Sequence, residues 1–258
     1  MKITNYDLFL KGLGESVKMA LVSDVHAGRP ENIIEILKKE APDYILLAGD
    51  IFENLDGSCD EKNNSTFALL KESARLAPTF YSSGNHEDGQ CGSWWKLWRR
   101  SRSGDRNYSE ENRRRIKESG VIYLEDSFVI RNGIAFGGLA SGLLNVDKKP
   151  RLDWLDGFCA LGEPKVLLCH HPEYYEPYLK ERNVDLIVSG HAHGGQWRIF
   201  GRGIFAPGQG LFPKYTSGVH EGRLVISRGL KKSGIVPRIF NPCEVVIINI
   251  NKKQDRIG

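Results

Sequence analysis

The sequence predicts an α/β protein, and two observations support this fold class. Short apolar runs recur along most of the chain, and segments with helical periodicity lie between them. This alternation is typical of strand–helix–strand units that build a parallel sheet. The chain has 258 residues, of which 40% are hydrophobic, so it can bury one large core. Because no repeat or linker-like segment divides the sequence, we expect residues 1–258 to form a single domain.

Eight runs rich in Val, Ile and Leu are the predicted strands. They cover residues 19–23, 44–48, 79–82, 134–139, 166–169, 186–188, 224–227 and 245–250. Their shortness favours strands over helices, and their apolar character indicates burial within a sheet.

Three segments between these runs carry apolar residues at helical spacing. Pro30 suits the first position of a helix, and Ile33 and Leu37 would lie together on one face of it. Residues 65–77 show the same spacing, and residues 173–181 form a third helix-like segment. Towards the C-terminus, turns rich in Gly and Pro replace the helices.

Clusters of Asp, His and Asn follow five of the predicted strands almost immediately. The clusters are Asp24-Val25-His26, Gly49-Asp50, Gly84-Asn85-His86-Glu87, His170-His171 and His191-Ala192-His193. Because α/β sheets bind ligands beyond the carboxyl ends of their strands, we expect these clusters to converge on one point. One Asp-x-His tripeptide is weak evidence for a metal site, whereas five such clusters in this order are specific evidence for one.

The donor types indicate two metal ions rather than one. Imidazole suits Zn, Mn and Fe, and carboxylate and amide oxygens suit harder ions. The Asp, His and Asn side chains of these clusters are too many for one tetrahedral ion. Two ions about 3.5–4 Å apart that share a carboxylate can generate a hydroxide at neutral pH and hold a phosphoryl oxygen. The sequence therefore predicts a metal-dependent phosphoesterase with Mn, Fe or Zn as its cofactors.

The order of these clusters resembles the calcineurin-like metallophosphoesterase superfamily. Its pattern of Asp-x-His, Gly-Asp, Gly-Asn-His-Asp/Glu, His and Gly-His-x-His is present in full between Asp24 and His193. The resemblance implies a four-layer α/β/β/α sandwich of the metallophosphoesterase type. Residues 190–196, 215–218, 227–229 and 237–238 are also similar to the bacterial YkuE/YaeI-type phosphodiesterases, some of which hydrolyse a UDP-diacylglucosamine lipid precursor.

By this resemblance, two metal sites share one bridging carboxylate and a bridging hydroxide that attacks phosphorus. The residues implied are Asp24, His26 and His193 at the first metal, Asn85, His170 and His191 at the second, and Asp50 between them. The substrate implied is a phosphodiester or a pyrophosphate-linked compound, either nucleotide- or lipid-linked.

The resemblance also implies two catalytic residues beside the metals. His86 matches the histidine that stabilises the phosphoryl oxygens or protonates the leaving group, and Glu53 matches the acid that orients it. Asn54 stands where the related protein phosphatases carry a phosphate-binding arginine. Because Asn54 and the longer Glu53 depart from that pattern, a protein phosphatase is disfavoured.

The segment at about residues 88–117 is predicted to be a basic and aromatic insertion at the rim of the site. It interleaves Trp94, Trp95 and Trp98 with Lys and Arg, and Arg113 to Arg115 follow. One interpretation is a helical excursion packed on the domain. The other is a lid for an amphipathic phosphate compound that contacts an anionic membrane surface through residues 94–115.

Other functions on the same fold stay open. The basic stretch from Lys96 to Lys117 keeps a nuclease as an alternative, although the net charge of only +4 gives nucleic acid little general attraction. A phosphomonoesterase is a second alternative. A non-catalytic metal-binding scaffold is a remote one, because no ligand of the motif is missing.

The rest of the composition bears on location. No stretch reaches the ~18 apolar residues of a membrane span, and no signal peptide is evident, so we expect a cytoplasmic protein, at most peripheral to the inner membrane leaflet. The five scattered cysteines fit reduced thiols, although Cys59 and Cys91 could form one pair. No obligate protein partner is evident from the sequence.

Overall fold

Two six-stranded sheets form the frame of the structure, a computed structural model that describes residues 1–88, 108–142, 149–231 and 237–252. The strands of the first sheet are β1 (Lys2–Phe9), β2 (Val17–Val22), β3 (Tyr44–Ala48), β4 (Thr79–Ser82), β5 (Ile122–Tyr123) and β16 (Glu244–Asn251). Their order is β1-β16-β2-β3-β4-β5. The strands from β2 to β5 are parallel, and β16 runs antiparallel to β2.

The second sheet lies further along the chain. Its strands are β6 (Ser127–Arg131), β7 (Ile134–Leu139), β8 (Lys165–Cys169), β9 (Leu186–Ser189), β14 (Gly218–His220) and β15 (Leu224–Ile226). Their order is β14-β15-β9-β8-β7-β6, with parallel pairing from β7 to β15. Two small hairpins lie between β9 and β14: β10 (Arg198–Ile199) with β11 (Arg202–Gly203), and β12 (Phe205–Ala206) with β13 (Gly210–Leu211).

Three buried clusters show how the layers stack. Apolar side chains of both sheets, such as Leu46 and Leu168, form the middle cluster. The outer face of the first sheet packs against α1 (Glu31–Glu40), α2 (Asp60–Leu76) and α3 (Glu110–Glu118). The outer face of the second sheet packs against α4 (Leu155–Cys159) and the turns that follow β8. This arrangement is the predicted four-layer α/β/β/α sandwich.

All eight predicted strands are present within a residue or two of their predicted ends. Pro30 caps α1 rather than beginning it, and α2 starts at Asp60, five residues earlier than predicted. The sequence did not indicate β1 or β6, which lie at the edges of the sheets and alternate exposed with partly buried residues.

The prediction of one regular helix over residues 173–181 is wrong. The chain instead forms a 3₁₀ turn at Pro172–Tyr174 and a π-helical turn at Tyr175–Leu179. Pro177 lies inside this segment, and a proline there lacks an amide hydrogen and would clash with the carbonyl four residues earlier. A regular α-helix is therefore disfavoured.

Two further expectations can be compared with the structure only in part, because some of their residues lie outside the described ranges. The described cysteines, Cys59, Cys159, Cys169 and Cys243, are free thiols, and Cys91 lies outside the described residues. Of the predicted insertion at 88–117, residues 108–117 are described, and Trp94, Trp95 and Trp98 are not. No helix of the described residues is long and apolar enough to cross a membrane.

Candidate metal centre

Loops at the carboxyl ends of β2, β3, β4, β8 and β9 meet at one end of the two stacked sheets, and every predicted ligand lies on them. Backbone hydrogen bonds join these loops: Asp24 N donates to Gly49 O at 3.0 Å, and Gly190 N donates to His170 O at 3.1 Å. The side chain of Asp24 also accepts from His191 N at 2.9 Å. Loops that lie far apart in the sequence are thus held at one point.

The backbone of these loops is unusual. Asp24, His26, Asp50, His191 and His193 all have positive φ, between 47° and 64°. Non-glycine residues rarely adopt this conformation, and such strain gathers at functional sites. Each of these residues is a predicted ligand. The strained backbone conformation therefore occurs at the positions whose side chains must face the candidate metal centre.

A first group of donors consists of Asp24, His26 and His193. One ligand atom from each lies within 4.8 Å of the others. His193 Nε2 lies 3.6 Å from Asp24 Oδ1, and both side chains are almost completely buried. The rings of His26 and His193 stack with their centroids 5.2 Å apart.

A second group consists of Asp50, His170 and His191, and one atom of Asp50 connects the two groups. His170 Nε2 lies 3.1 Å from Asp50 Oδ2, and His26 Nε2 of the first group lies 3.7 Å from the same oxygen. Asn85 lies on the adjacent loop, where His86 N donates to Asp50 Oδ1 at 2.8 Å. The carboxylate of Asp50 therefore lies between both groups.

Three buried atoms of this cluster have no hydrogen-bond partner among the described residues: His26 Nε2, Asn85 Oδ1 and His170 Nε2. Buried polar atoms without a partner are costly and rare in native proteins. These three are nitrogen and oxygen donors of the kind that Mn, Fe and Zn accept, and the two histidine nitrogens lie on either side of Asp50. The residues present therefore fit two metal ions.

The protonation of two histidines also suits metal binding. Burial, with the neighbouring His171, lowers the pKa of His191 to about 3. Burial outweighs the attraction of Asp24 and lowers the pKa of His193 to about 4. Both imidazoles are therefore neutral at pH 7, as a metal ligand must be.

Glu53 joins the predicted catalytic histidine to the first group. Its Oε2 lies 2.9 Å from His86 Nδ1, and its Oε1 lies 3.2 Å from His26 Nδ1. Burial opposes its ionisation, but these two histidines outweigh burial and hold the pKa of Glu53 well below its usual range. Asn63 of α2 fixes the Glu53 backbone through its N–H and its carbonyl. The structure thus places the Glu53 carboxylate between His86 and His26.

Glu87 has a position that the sequence did not reveal. Its buried carboxylate accepts hydrogen bonds from the backbone amides of Gly84 and of Asp50, Ile51 and Phe52, and from the Tyr81 hydroxyl. Burial and the charge of Asp50 raise the pKa of Glu87. The carboxylate joins the loop after β3 to the loop after β4, so it fixes Asp50 and Asn85 relative to each other.

The backbones here approach so closely that only glycine fits. A Cβ at Gly84 would lie 2.3 Å from Asp50 Oδ1, and one at Gly190 would lie 2.5 Å from Asp24 Oδ2. Real Cβ atoms do not make such contacts. The glycine in each motif is therefore required by packing around the two carboxylates.

Several neighbouring residues were not predicted as part of the site. Glu173 Oε1 lies 3.1 Å from His171 Nδ1 and 3.6 Å from His191 Nε2. Lys231 Nζ lies 3.5 Å from Glu53 Oε1. Arg238 Nη2 lies 3.4 Å from His193 Nδ1. Only the closeness of Glu173 to the His170-His171 pair in sequence could have indicated its place.

Comparison with known proteins identifies this architecture. Residues 17–195 match the sequence profile of the calcineurin-like phosphoesterases, which is more than half of the chain. A dimetal phosphatase from Danio rerio of known crystal structure aligns with 84% of this chain and 88% of its own, at 14% identity and a TM-score of 0.48.

Curated relatives match over most of the chain. A putative metallophosphoesterase of Caenorhabditis elegans is 25% identical over 92% of this chain. The chain spans about half the length of that relative, 49%. An uncharacterized metallophosphoesterase of Aquifex aeolicus is 28% identical, over 93% of this chain and 87% of its own.

Proposed function

We propose that this chain, which belongs to the calcineurin-like phosphoesterase family, is a metal-dependent phosphoester hydrolase that cleaves phosphodiesters or pyrophosphate-linked substrates at two metal ions held by the clustered donors. The observation that carries the proposal is the place of Asp50 Oδ2, which lies 3.1 Å from His170 Nε2 and 3.7 Å from His26 Nε2. One carboxylate oxygen between two donor groups suits a bridging ligand.

The donor groups and the family resemblance assign the ligands. Asp24, His26 and His193 would hold the first metal, and His170, His191 and Asn85 would hold the second, with Asp50 shared. The metals supply a water activated at neutral pH and positive charge for the phosphoryl oxygens. The protein's own part is to bury these donors close together and to keep His191 and His193 neutral.

His86 is the residue we assign to proton delivery. Its Nδ1 faces Glu53 Oε2 at 2.9 Å, so a protonated ring donates there and directs its Nε2–H elsewhere. A positioned imidazolium can stabilise a phosphoryl oxygen or protonate the leaving oxygen. Glu53 acts by orienting this ring. The ring of His86 meets that of His26 edge-on at 4.2 Å, which places it beside the first metal site.

The contacts of Asn54 and of the arginines of α3 bear on the rival functions. Asn54, which takes the place of an arginine, donates its amide to Ser58 Oγ within its own loop. In the basic stretch, Arg115 lies over the ring of Phe67, and Arg114 pairs with Glu111 and Glu118. These guanidinium groups are engaged with the protein, which weakens the case for a nuclease that grips a polyanion through α3.

Finer features of the sequence prediction belong to this proposal as well. The YkuE/YaeI-type subgroup, a cytoplasmic location and a contact of residues 94–115 with the inner leaflet are consistent with the motifs quoted above. Most of that contact segment lies outside the described residues. A second candidate function, phosphomonoester hydrolysis, uses the same donors and differs only in the substrate.

The test is a substrate and metal screen on protein stripped with a chelator and reloaded with Mn, Fe or Zn. We expect hydrolysis of bis-p-nitrophenyl phosphate to exceed that of p-nitrophenyl phosphate and of single-stranded DNA. Faster cleavage of DNA would favour a nuclease, and faster cleavage of the monoester would favour a phosphatase. Full activity in metal-free protein would exclude the two-metal assignment.

A further inference from the structure

Large apolar side chains gather on one exposed surface formed by residues 197–212 and 239–240, which we call the aromatic-tip surface. Among the described residues, thirteen large apolar side chains are exposed, and eight of them lie on this surface. Trp197, Ile199, Phe200, Leu211, Phe212 and Phe240 are its main members. Exposed apolar residues are ordinary when scattered singly, whereas a concentration of this kind marks an interaction site.

The backbone joins these segments into one continuous surface. Ile204 N donates to Trp197 O at 2.9 Å, and Phe212 N donates to Ile204 O at 2.8 Å, so the two hairpins lie side by side. Trp197 also forms a bridge with Ile239, which brings in the third segment.

Three phenylalanines stand at the turns of this surface. Phe200 is 101% exposed, Phe240 is 84% exposed and Phe212 is 77% exposed. All three have positive φ, between 49° and 52°, a conformation that bulky residues rarely adopt. Neither local conformation nor packing within the described residues therefore favours phenylalanine here. An apolar environment outside the molecule would favour phenylalanine at these three positions.

The charge around the tips selects an anionic partner. Residues 190–220 contain no Asp or Glu, and of their cations Lys214 pairs with Glu176, whereas Arg198 and Arg202 form no ion pair among the described residues. A cavity of about 480 Å³ between Phe200 and Phe240 is lined by Arg198 and by Arg228, which pairs with Glu244. Aromatic tips with cations at their base match a bilayer, whose acyl region is apolar and whose anionic headgroups lie just above it. Trp197, about half exposed, suits that boundary.

The surface adjoins the candidate metal centre. His193 and Gly195 directly precede the first hairpin, and Asn241 beside Phe240 donates to His193 O at 2.7 Å. A membrane against the tips would therefore face the loops that carry the ligands.

We propose that the aromatic-tip surface docks onto an anionic lipid bilayer. The docking proposal depends only on the observations made on this surface. Its use, which is to bring the site to phosphoesters carried by amphipathic molecules in that bilayer, rests on the proposed function.

The test is flotation with vesicles of equal parts phosphatidylglycerol and phosphatidylcholine, compared with phosphatidylcholine alone. The key variant combines Phe200→Asn, Phe212→Asn and Phe240→Asn, since asparagine tolerates positive φ and the fold is kept. The matched control is Phe9→Thr with Ile130→Thr. These residues are exposed apolar positions at the ends of β1 and β6 that lie away from the site.

We expect wild type and control to float with the anionic vesicles and the tip variant to lose at least ~100-fold in partitioning. Arg202→Glu should reduce binding by about tenfold or more, and added salt should do the same. Equal binding by the tip variant, or no binding by wild type, would overturn the proposal. So would a wild-type dimer that the tip variant abolishes without any vesicle binding.

Hydrolysis of bis-p-nitrophenyl phosphate in solution separates this proposal from the enzymatic one. Its rate should be equal in wild type, tip variant and control. If none of the three hydrolyses any diester, the proposed substrate fails, and the vesicle result still decides the docking.

Discussion

Asp50 is the residue on which the two donor groups depend. Its Oδ2 lies within 3.7 Å of a histidine nitrogen from each group, and its Oδ1 also accepts from His86 N. We expect Asp50→Ala to lose both metals and nearly all activity, because its carboxylate lies beside a histidine of each group. Mass spectrometry of the purified variant measures the metal content. Retention of two metals per chain, or full activity, would contradict the shared-ligand assignment.

His86 should be needed for turnover but not for holding metal. Removing a positioned general acid lowers the rate by ~10²–10⁴. We expect His86→Ala to lose less with p-nitrophenyl diesters than with alkyl esters, because a good leaving group needs less protonation. Glu53→Gln, which keeps the shape of the orienting side chain, should reproduce part of the loss. A fall in metal content in proportion to activity in His86→Ala would make His86 a ligand.

The residues of the candidate site that belong to a sequence motif could be predicted, and the neighbours without a motif could not. Asp24 with His26, and His191 with His193, could be recognised by their spacing of two residues in the sequence. Lys231 approaches Glu53 from a loop 178 residues later, and it carries no motif of its own. The closeness of Lys231 to Glu53 is evident only in the folded structure.

The loops after β3 and β4 form one unit because a single carboxylate connects them. Glu87 accepts from four backbone amides and one hydroxyl, all of them buried. Each buried donor left without a partner costs about 1–3 kcal/mol. We therefore expect Glu87→Ala to lower the free energy of unfolding by at least ~3 kcal/mol and to weaken metal binding, although Glu87 itself faces no metal group. Glu87→Gln, which keeps one acceptor oxygen, should lose less in urea denaturation. Equal stability of Glu87→Ala and wild type would show that water satisfies these amides.

The start of β16 is held by an ion pair that should make the first sheet sensitive to acid. Glu244 pairs with Arg228 and accepts from Thr4 Oγ1 at 2.5 Å. Burial raises the pKa of Glu244, but these partners outweigh burial and the net shift is downward. Because the folded-state pKa lies below the unfolded value of about 4.3, the stabilisation is complete above that pH and is lost as the pH falls through the folded-state pKa.

We therefore expect Glu244→Gln to lower the free energy of unfolding by about 2–3 kcal/mol at pH 7 and by progressively less below pH ~4. Thermal unfolding at a series of pH values measures the difference. Glu72→Gln is the control, since it removes a partner of the exposed Arg75 and should change stability little at any pH. A constant difference between Glu244→Gln and wild type down to pH 3 would refute the ionic explanation.

The central strands could be predicted because a strand buried on both faces has a continuous apolar sequence. The edge strand β1 could not be predicted in this way. Residues 44–48 are buried throughout, and their sequence is apolar throughout. β1 has polar residues at Thr4, Asn5 and Asp7, because an edge strand faces solvent on part of its surface. The sequence of β1 therefore resembles a loop, and pairing with β16, 242 residues away, makes it a strand.

The whole molecule should unfold as one unit. The middle apolar cluster draws on strands of both sheets, so neither sheet keeps its inner face covered without the other. We expect far-ultraviolet and near-ultraviolet circular dichroism of the metal-free protein to report the same urea midpoint. Ile248→Ala, in the middle cluster, should shift both midpoints equally, by about 2–5 kcal/mol of stability. Two separate midpoints would divide residues 1–258 into more than one domain.

The position of β16 also has a consequence for biosynthesis. This strand lies between β1 and β2, although the ribosome makes it more than 200 residues after them. Translation proceeds at roughly 5–20 residues per second, so β2 waits for its neighbour for at least ~10 seconds. During that interval the nascent chain cannot close the first sheet or fix the loop that carries Asp24. Binding at the candidate metal centre is thereby deferred until β16 has been made, and a nascent chain that stops before β16 leaves the Asp24 loop unfixed.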